Sequence, residues 1–377
     1  MNSIYRERFE NTVLHKPVDR CPIDLAGTCL TTVTDTDFIP KIAEIMGFKG
    51  KAPDTYDRFD ERILTYFDID FRRTGNIVDF RTGREKKISE TEHTDCFGIK
   101  YRWSGTYFEI SEYPLAGTEI DELAEYEFPS MNQTIPGQIE EWGEKAEYLY
   151  NSTPYVISAE HPVFGVLELA CWLCGYEHLL FKLADDPEYI HLLFSKILKW
   201  QKEVIKLYYG RLGKYIHFTT SGDDFGTQRG CFISPKMFRE YVKPYFKERI
   251  EYTAQFTDAL YWHHTCGSVF DIIPDLADCG VKILNPIQPK AANMNPQKLK
   301  EAYGNIITFH GGLDIQEVLP SIAPKIIEEA VYYLLDSMKP KETGGFIFSA
   351  AHSIPCDVNP ASVVSMYEAV LKYFSKN

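Results

Sequence analysis

Hydrophobic and polar positions alternate regularly along the chain from about residue 155 onward. Short apolar runs are separated by longer stretches in which apolar residues recur every three to four positions. This pattern is typical of strands that alternate with amphipathic helices. The predicted strands are 156–158, 216–219, 259–262, 281–284, 306–309 and 345–348. The alternation favours a parallel sheet built from repeated βα units over residues 151–377.

The predicted helices share a start signal. Each opens on a proline, which suits the first turn because an amide hydrogen there has no partner within the helix. They span 187–208, 235–256, 296–303 and 324–337, and a last helix begins at residue 360. The sequence therefore predicts regular βα units in the second part of the chain.

Residues 1–150 are less regular. Residues 82–113 have the pattern of a β-hairpin, and the neighbourhoods of Ile23 and Ile69 are predicted to be early strands. No linker or repeat divides the chain. Residues 1–377 are therefore predicted to form one α/β domain, a single (β/α)8 TIM-type barrel with an N-terminal extension and a β-hairpin insertion.

Composition narrows the class of protein. The 377 residues are 44% hydrophobic and 14% aromatic, which suits a large buried core. The net charge of −14 and the dispersed basic residues argue against nucleic acid as a partner. The first 19 residues have no apolar segment, and no stretch approaches the roughly 18 apolar residues of a membrane helix. We expect a cytoplasmic protein with no membrane partner.

Nine cysteines do not form a secreted disulfide pattern, so we expect reduced thiols, some of them available to bind metal. Cys171 and Cys174 have the spacing of a redox motif, but they lie in an apolar helical run and are expected to belong to the core. Dinucleotide-binding, phosphate-binding and nucleophile-elbow motifs are absent from the sequence.

Polar residues follow directly after the predicted strands. In a barrel of this type the active site is built from these loops, at the C-terminal ends of the strands. The residues selected on this basis are Glu160, His161, Asp223, Asp224, Gln228, His264, Cys266, Asn285, Gln288, His310, His352 and Cys356.

His264 and Cys266 give the strongest chemical signal. Imidazole and thiolate favour zinc, and alternate positions of an extended segment project to the same side. A catalytic zinc needs a third protein ligand, and the loop after the last strand offers His352 and Cys356. The alternative interpretation is a buried thiol beside a hydrogen-bonded histidine.

The other selected residues each allow two interpretations. Asp223 and Asp224 could act as an acid and a base, or shape a turn. The glycines after His310 could let a ligand approach the backbone, or form a sharp turn. Glu160 and His161 could transfer protons, or cap a neighbouring helix.

Several strings together resemble the uroporphyrinogen-decarboxylase superfamily, which includes cobalamin-dependent methyltransferases. The resemblance covers nearly the whole chain and implies a single barrel. The strings are Arg-Phe at 8–9, Lys-Pro-Val-Asp-Arg-Cys-Pro at 16–22, Asp-Asp-Phe-Gly-Thr-Gln at 223–228, Ile-Ser-Pro at 233–235, His-Thr-Cys-Gly at 264–267, Ile-Ile-Pro-Asp-Leu at 272–276, Gly-Val-Lys-Ile-Leu-Asn-Pro-Ile-Gln at 280–288 and His-Ser-Ile-Pro at 352–355.

One departure from this family bears on the activity. Its decarboxylases carry an Arg-Gln-Ala-Gly-Arg string whose arginines bind the substrate carboxylates, whereas residues 24–29 here contain no arginine. The resemblance therefore favours the methyltransferase branch, in which His-x-Cys binds zinc with a later cysteine. His352 aligns with that cysteine and Cys356 lies four residues beyond it, so the third ligand is either of these two.

The resemblance implies a zinc-dependent corrinoid methyltransferase. It would move a methyl group between a small methylated substrate, for example a methoxylated aromatic, and a cobamide on a carrier protein. Asp223, Asp224 and His310 are then expected to serve catalysis. Substrate binding is assigned to Glu160, His161, Gln228, Asn285 and Gln288.

Three alternatives stay open at this point. One is a methylcobamide:thiol methyltransferase, and another is a metal-free decarboxylase of a small cyclic carboxylate. The third is a non-catalytic corrinoid- or tetrapyrrole-binding protein. A homodimer is also left open.

Overall fold

Seven parallel strands form the curved wall of a barrel in the computed structural model, which describes residues 3–50, 59–81, 85–105 and 107–376. A separate antiparallel sheet contains four further strands. In chain order the strands are β1 (Phe71–Thr74), β2 (Lys86–Lys87), β3 (Glu92–Thr94), β4 (Lys100–Trp103), β5 (Phe108–Glu112), β6 (Val156–Ala159), β7 (Phe218–Thr219), β8 (Leu260–His264), β9 (Val281–Asn285), β10 (Thr308–His310) and β11 (Phe346–Ile347).

Helices connect these strands. The run from residue 235 to 253 is continuous, because α9 leads into α10 through a π-helical turn at Phe238–Val242. The described α-helices are α1 (Ile4–Val13), α2 (Phe38–Ile45), α3 (Glu61–Tyr66), α4 (Ile120–Glu125), α5 (Thr134–Ser152), α6 (Val166–Cys174), α7 (Tyr176–Asp185), α8 (Pro187–Leu212), α9 (Pro235–Met237), α10 (Lys243–Thr253), α11 (Ile273–Cys279), α12 (Pro296–Tyr303), α13 (Pro324–Met338), α14 (Pro340–Thr343) and α15 (Pro360–Lys376).

The parallel sheet has the order β1-β6-β7-β8-β9-β10-β11, which confirms the predicted TIM-type fold. Its two edges meet at Ile23. This residue forms a parallel bridge with Phe348, next to β11, and its carbonyl accepts the amide of Asp70, next to β1. The prediction of an early strand at Ile23 is therefore correct in place, although the eighth position is a single bridge and not a regular strand.

Proline and an adjacent cap explain where the long helices begin. Pro187 occupies the first turn of α8, and the Asp186 carboxylate accepts the amide of Tyr189. Asn295 caps the start of α12 in the same way. Each cap satisfies an amide that has no partner within the helix, so these start points follow from local sequence.

The barrel interior has its own apolar core. Phe9 of α1 belongs to it, so α1 closes the end of the barrel at which the strands begin. The polar residues described below lie at the opposite end of the barrel, where the strands terminate. The core side chains are Phe9, Phe71, Val156, Phe218, Trp262, Ile283 and Ile347.

The predicted hairpin region forms the larger antiparallel sheet β2-β3-β4-β5. Residues 82–84 of the predicted range 82–113 lie outside the described residues. Within the described ranges, no helix combines the length and the apolar character needed to cross a membrane.

Candidate metal and substrate site

Most of the predicted site residues lie where the parallel strands end. His264 is the last residue of β8, Asn285 ends β9 and His310 ends β10. Gly222, after β7, forms a parallel bridge with His264. This arrangement brings the loops that carry the candidate chemistry to one face of the barrel.

His264, Cys266 and His352 form a compact group. Their ligand atoms, two imidazole nitrogens and one sulfur, all lie within 4.8 Å of one another. Cys266 Sγ is 3.3 Å from His264 Nε2, close to the roughly 3.5 Å that separates two ligands on one tetrahedral zinc. The His264 and His352 rings are 5.2 Å apart between centroids and nearly perpendicular. The donor set and its spacing therefore fit zinc.

A hydrogen bond to Asn285 fixes the orientation of the His264 ring. Its Nδ1 lies 2.7 Å from Oδ1 of Asn285, an acceptor, so Nδ1 carries the proton. The Asn285 amide nitrogen donates in turn to the His310 carbonyl, 3.2 Å away. This leaves Nε2 of His264 as the nitrogen that faces Cys266, which is the arrangement usual for a metal-binding histidine.

The electrostatic surroundings of this group favour a cation. Burial and the negative charge of Asp224 raise the pKa of Cys266 to about 12. Asp224 Oδ1 accepts the Cys266 amide at 2.8 Å and lies 3.9 Å from His264 Nε2. Burial lowers the pKa of His264 to about 4, so the ring is neutral, as a ligand must be. Asp224 thus contributes negative charge beside the ligand atoms.

Asp223 points in a different direction from Asp224. Its carboxylate accepts the amides of Leu167 and Glu168 at 3.1 and 2.7 Å and so caps α6. A Cβ at Gly165 would lie 2.1 Å from Asp223 Cγ, which explains the glycine at the helix N-cap. The expected catalytic role of Asp223 therefore competes with a structural role that its contacts already explain.

Glu168, which the sequence patterns did not single out, lies beside these carboxylates. Burial raises its pKa to about 8, and the charges of Asp223 and Asp224 add to the shift. Its position in the first turn of α6 gave no chemical signal in the sequence. Only the fold brings Glu168 near Asp223, which lies 55 positions further along the chain.

His310 lies inside the barrel and is fully buried. Its Nδ1 accepts the indole hydrogen of Trp262 at 2.8 Å. Its Nε2 is 3.0 Å from Asp24 Oδ2, although the alignment is poor for a hydrogen bond. The structure thus places His310 among core side chains, with its carbonyl bonded to Asn285.

Glu160 and His161 form a second polar group with Cys29, again with ligand atoms within 4.8 Å of one another. The Glu160 carboxylate is 2.8 Å from His161 Nδ1 and is buried. Cys29 follows the bridge at Ile23 by six residues. The strand-end argument could have selected it had that short strand been recognised.

Gln228, Gln288 and His352 line a cavity of about 210 Å³. Gln288 also accepts the Gly267 amide at 2.8 Å and so fixes the loop after Cys266. The remaining lining residues are Pro289, Lys290, Asp314, Ile315, Gln316 and Ala351. A larger groove of about 930 Å³ lies beside α1 at the other end of the barrel, but it contains none of the predicted site residues.

Cys356 does not join the metal group. It is exposed, and its sulfur is not within 4.8 Å of all the ligand atoms of His264 and Cys266. The structure thus brings His352, and not Cys356, to the other two residues of the group.

Comparison with known proteins gives one family match. The model of the family described as uroporphyrinogen decarboxylase (URO-D) matches residues 131–373. No curated protein sequence matches this chain closely.

Among solved structures, a methyltransferase from Methanosarcina mazei has a TM-score of 0.66 at 13% identity. The alignment covers 99% of this chain and 100% of that one. Xylanase 10B from Thermotoga maritima has a TM-score of 0.41 at 10% identity, over 64% of this chain and 81% of the other. At 13% identity the comparison with the methyltransferase describes the fold alone, which that structure shares over its whole length.

Proposed function

Since the chain belongs to the uroporphyrinogen decarboxylase family, we propose that it is a zinc-dependent methyltransferase that transfers a methyl group between a small methylated substrate and a cobamide on a carrier protein. The observation that carries this proposal is the convergence of His264, Cys266 and His352. Three protein ligands with an open fourth position are typical of a catalytic zinc, and decarboxylation in this family would not need one.

The residues of the zinc group and their two closest polar neighbours have distinct roles in this proposal. His264, Cys266 and His352 would hold the zinc, with Asn285 fixing the imidazole of His264. When bound, zinc would polarise the ether oxygen of a methyl donor or hold the thiol of an acceptor as thiolate. Asp224, with a side chain 43% exposed, would orient the substrate beside the ligands.

The size and lining of the neighbouring cavity support a small substrate. Its volume of about 210 Å³ is below the range of roughly 300–1,000 Å³ that is usual for drug-sized ligands. It would hold a small methoxylated aromatic more readily than a tetrapyrrole. Gln228 and Gln288 supply amide groups to orient polar substituents, and His352 connects the cavity to the metal group.

The similarity to the Methanosarcina mazei methyltransferase supports the same proposal at the level of the fold. The absence of arginine between residues 24 and 29 supports it from the sequence, because a polycarboxylate substrate would lack its usual partners there. We extend the proposal to the substrate side of the pathway, with a corrinoid carrier protein docking over the barrel mouth.

Metal analysis is the first test. We expect protein purified without added zinc to contain one zinc per chain by mass spectrometry. His264→Ala and Cys266→Ala should lose it, His352→Ala should bind it more weakly, and Cys356→Ala is the matched control that should retain it. A metal-free native protein would contradict the zinc mechanism and favour the decarboxylase or binding-protein alternatives.

Methyl transfer is the second test. The zinc-loaded protein should convert free cob(I)alamin to methylcobalamin in the presence of methoxylated benzoates, followed by absorbance. Demethylation of methylcobalamin by a small thiol in the same assay would instead identify the thiol-side activity.

A further inference from the structure

The ligand atoms of Cys29, Glu160 and His161 lie within 4.8 Å of one another, as those of the zinc group do. A metal needs ligand atoms with free lone pairs. Whether this second group could bind a metal therefore depends on how many hydrogen bonds the Glu160 carboxylate already accepts.

The Glu160 carboxylate is fully engaged. Its Oε1 accepts from Nδ1 and the amide of His161, at 2.8 and 3.1 Å, and from the Thr220 hydroxyl at 3.0 Å. Its Oε2 accepts the Cys29 amide and lies 3.6 Å from the Arg73 guanidinium. A carboxylate offers about four lone-pair sites, so a metal would have to displace an existing hydrogen bond.

The neighbours of Glu160 also favour its negatively charged form. Burial opposes ionisation, but the hydrogen bond from His161 and the positive charge of Arg73 hold the pKa of Glu160 well below its usual range. A carboxylate that accepts from Nδ1 of a histidine fixes the orientation and the tautomer of the ring.

Because Nδ1 of His161 is bonded to Glu160, Nε2 is the ring nitrogen that can exchange a proton with a substrate. Within the described residues, this nitrogen has no hydrogen-bond partner. His161 follows β6 at the barrel mouth. Glu160 beside it accepts the hydroxyl of Thr220, and two residues further on Gly222 forms the backbone bridge with His264, so adjacent strand ends carry the two imidazoles to the same face. The His161 ring is buried, and the Phe164 ring lies 5.7 Å from it.

We propose that His161, oriented by Glu160, is the proton-transfer residue for the substrate held at the zinc group. This inference rests on the proposed function. When the methyl C–O bond breaks, its electron pair stays on oxygen, the methyl group passes to the cob(I)amide nucleophile, and the proton on Nε2 moves to the oxygen. The neutral ring then regains a proton from solvent. With a thiol acceptor the ring starts neutral, and the lone pair of Nε2 takes the thiol proton instead.

A comparison of leaving groups tests this role. 4-Methylanisole releases a basic phenolate that needs a proton, whereas 4-nitroanisole releases a weak base that does not. With free cob(I)alamin as acceptor, His161→Asn should slow transfer from 4-methylanisole by about 100-fold or more and from 4-nitroanisole by less than about tenfold. Added imidazole should restore part of the rate in His161→Ala. Equal losses with both donors would overturn the proposal.

Two further measurements separate this inference from the proposed function. In [15N]histidine-labelled protein, with His161 assigned through His161→Asn, NMR at a pH where the ring is neutral should show the proton on Nδ1, and Glu160→Gln should change that tautomer. A proton on Nε2 instead would overturn the dyad whether or not methyl transfer occurs. His161→Asn should also keep its zinc, and loss of zinc would assign the residue to metal binding. Wild-type protein that transfers methyl from neither anisole, nor from methylcobalamin to a thiol, would contradict the proposed function itself.

Discussion

Asn285 acts on the metal group through His264, and its effect can be measured separately from catalysis. Its Oδ1 holds the Nδ1 hydrogen of His264, so Nε2 faces Cys266. Removing such a partner usually costs 10- to 100-fold in metal affinity. We expect Asn285→Leu to weaken zinc binding by about that factor in a competition assay with a chromophoric chelator.

The matched control for this prediction is Asn285→Asp, which keeps an acceptor oxygen in the same place. It should bind zinc with near wild-type affinity. Equal losses in both variants would show that the amide contact with the His310 carbonyl, and not the orientation of His264, is what matters.

At the scale of single residues, the sequence could locate the ligands that are close together along the chain. His264 and Cys266 are neighbours on an extended segment, so their side chains had to project together. The choice between His352 and Cys356 could not be made, because the loop after β11 has no period that fixes direction. Cys29 and Glu160 lie 131 positions apart, and only barrel closure brings them into contact.

At the scale of elements, the side chain of His217 links β6 to the start of β7. Its Nδ1 accepts the Ile157 amide at 2.9 Å, just before β7 begins. Burial and the charge of Arg6 lower the pKa of His217 to about 4, against about 6.5 in the unfolded chain. The neutral ring is therefore the form that stabilises the pairing of these strands.

The sign of the pH effect follows from this difference in pKa. Between pH 6.5 and 4 the unfolded chain binds more protons at this residue, so the stabilisation present above pH 6.5 is lost as the pH falls. The loss should reach roughly 3 kcal/mol. In urea unfolding across this range, His217→Asn, which keeps an acceptor, should lose less stability than wild type. Parallel curves for the two proteins would contradict the prediction.

The predicted elements agree best with the structure where local signals mark both ends. The 296–303 helix has Pro296 at its start and Gly304 after its end, and it is observed as α12. The predicted strand 216–219 shortens to β7, because His217 pairs through its side chain as well as its backbone. The antiparallel sheet has four strands where a hairpin has two. The sequence pattern did not show this because cross-strand pairing depends on tertiary context.

At the scale of the whole molecule, one buried carboxylate lies at the junction that closes the barrel. Asp70 accepts the Ile23 amide at 2.8 Å and pairs with Arg8 and Arg20 at 2.6 and 2.7 Å. These arginines belong to the N-terminal strings on which the family resemblance rests. Their position, beside the junction at Ile23, indicates that this part of the resemblance reflects the fold and not the chemistry.

Substitution at Asp70 should therefore destabilise the barrel as a whole. Asp70→Asn leaves two arginines buried without their central counter-charge, and breaking a buried pair in this way usually costs about 3–5 kcal/mol. We expect a loss near the lower end in urea unfolding followed by tryptophan fluorescence, because Arg8 and Arg20 keep their second partners, Asp19 and Asp68.

Those second partners provide the control. Asp19 and Asp68 are 53% and 44% exposed, so their ion pairs are screened by solvent. Asp19→Asn and Asp68→Asn should each cost less than about 1 kcal/mol. If Asp70→Asn cost no more than these two variants, the closure would depend on the backbone bridge between Ile23 and Phe348 alone. A larger cost at Asp70, with zinc content unchanged, would show that the closing junction stabilises the fold independently of the metal group.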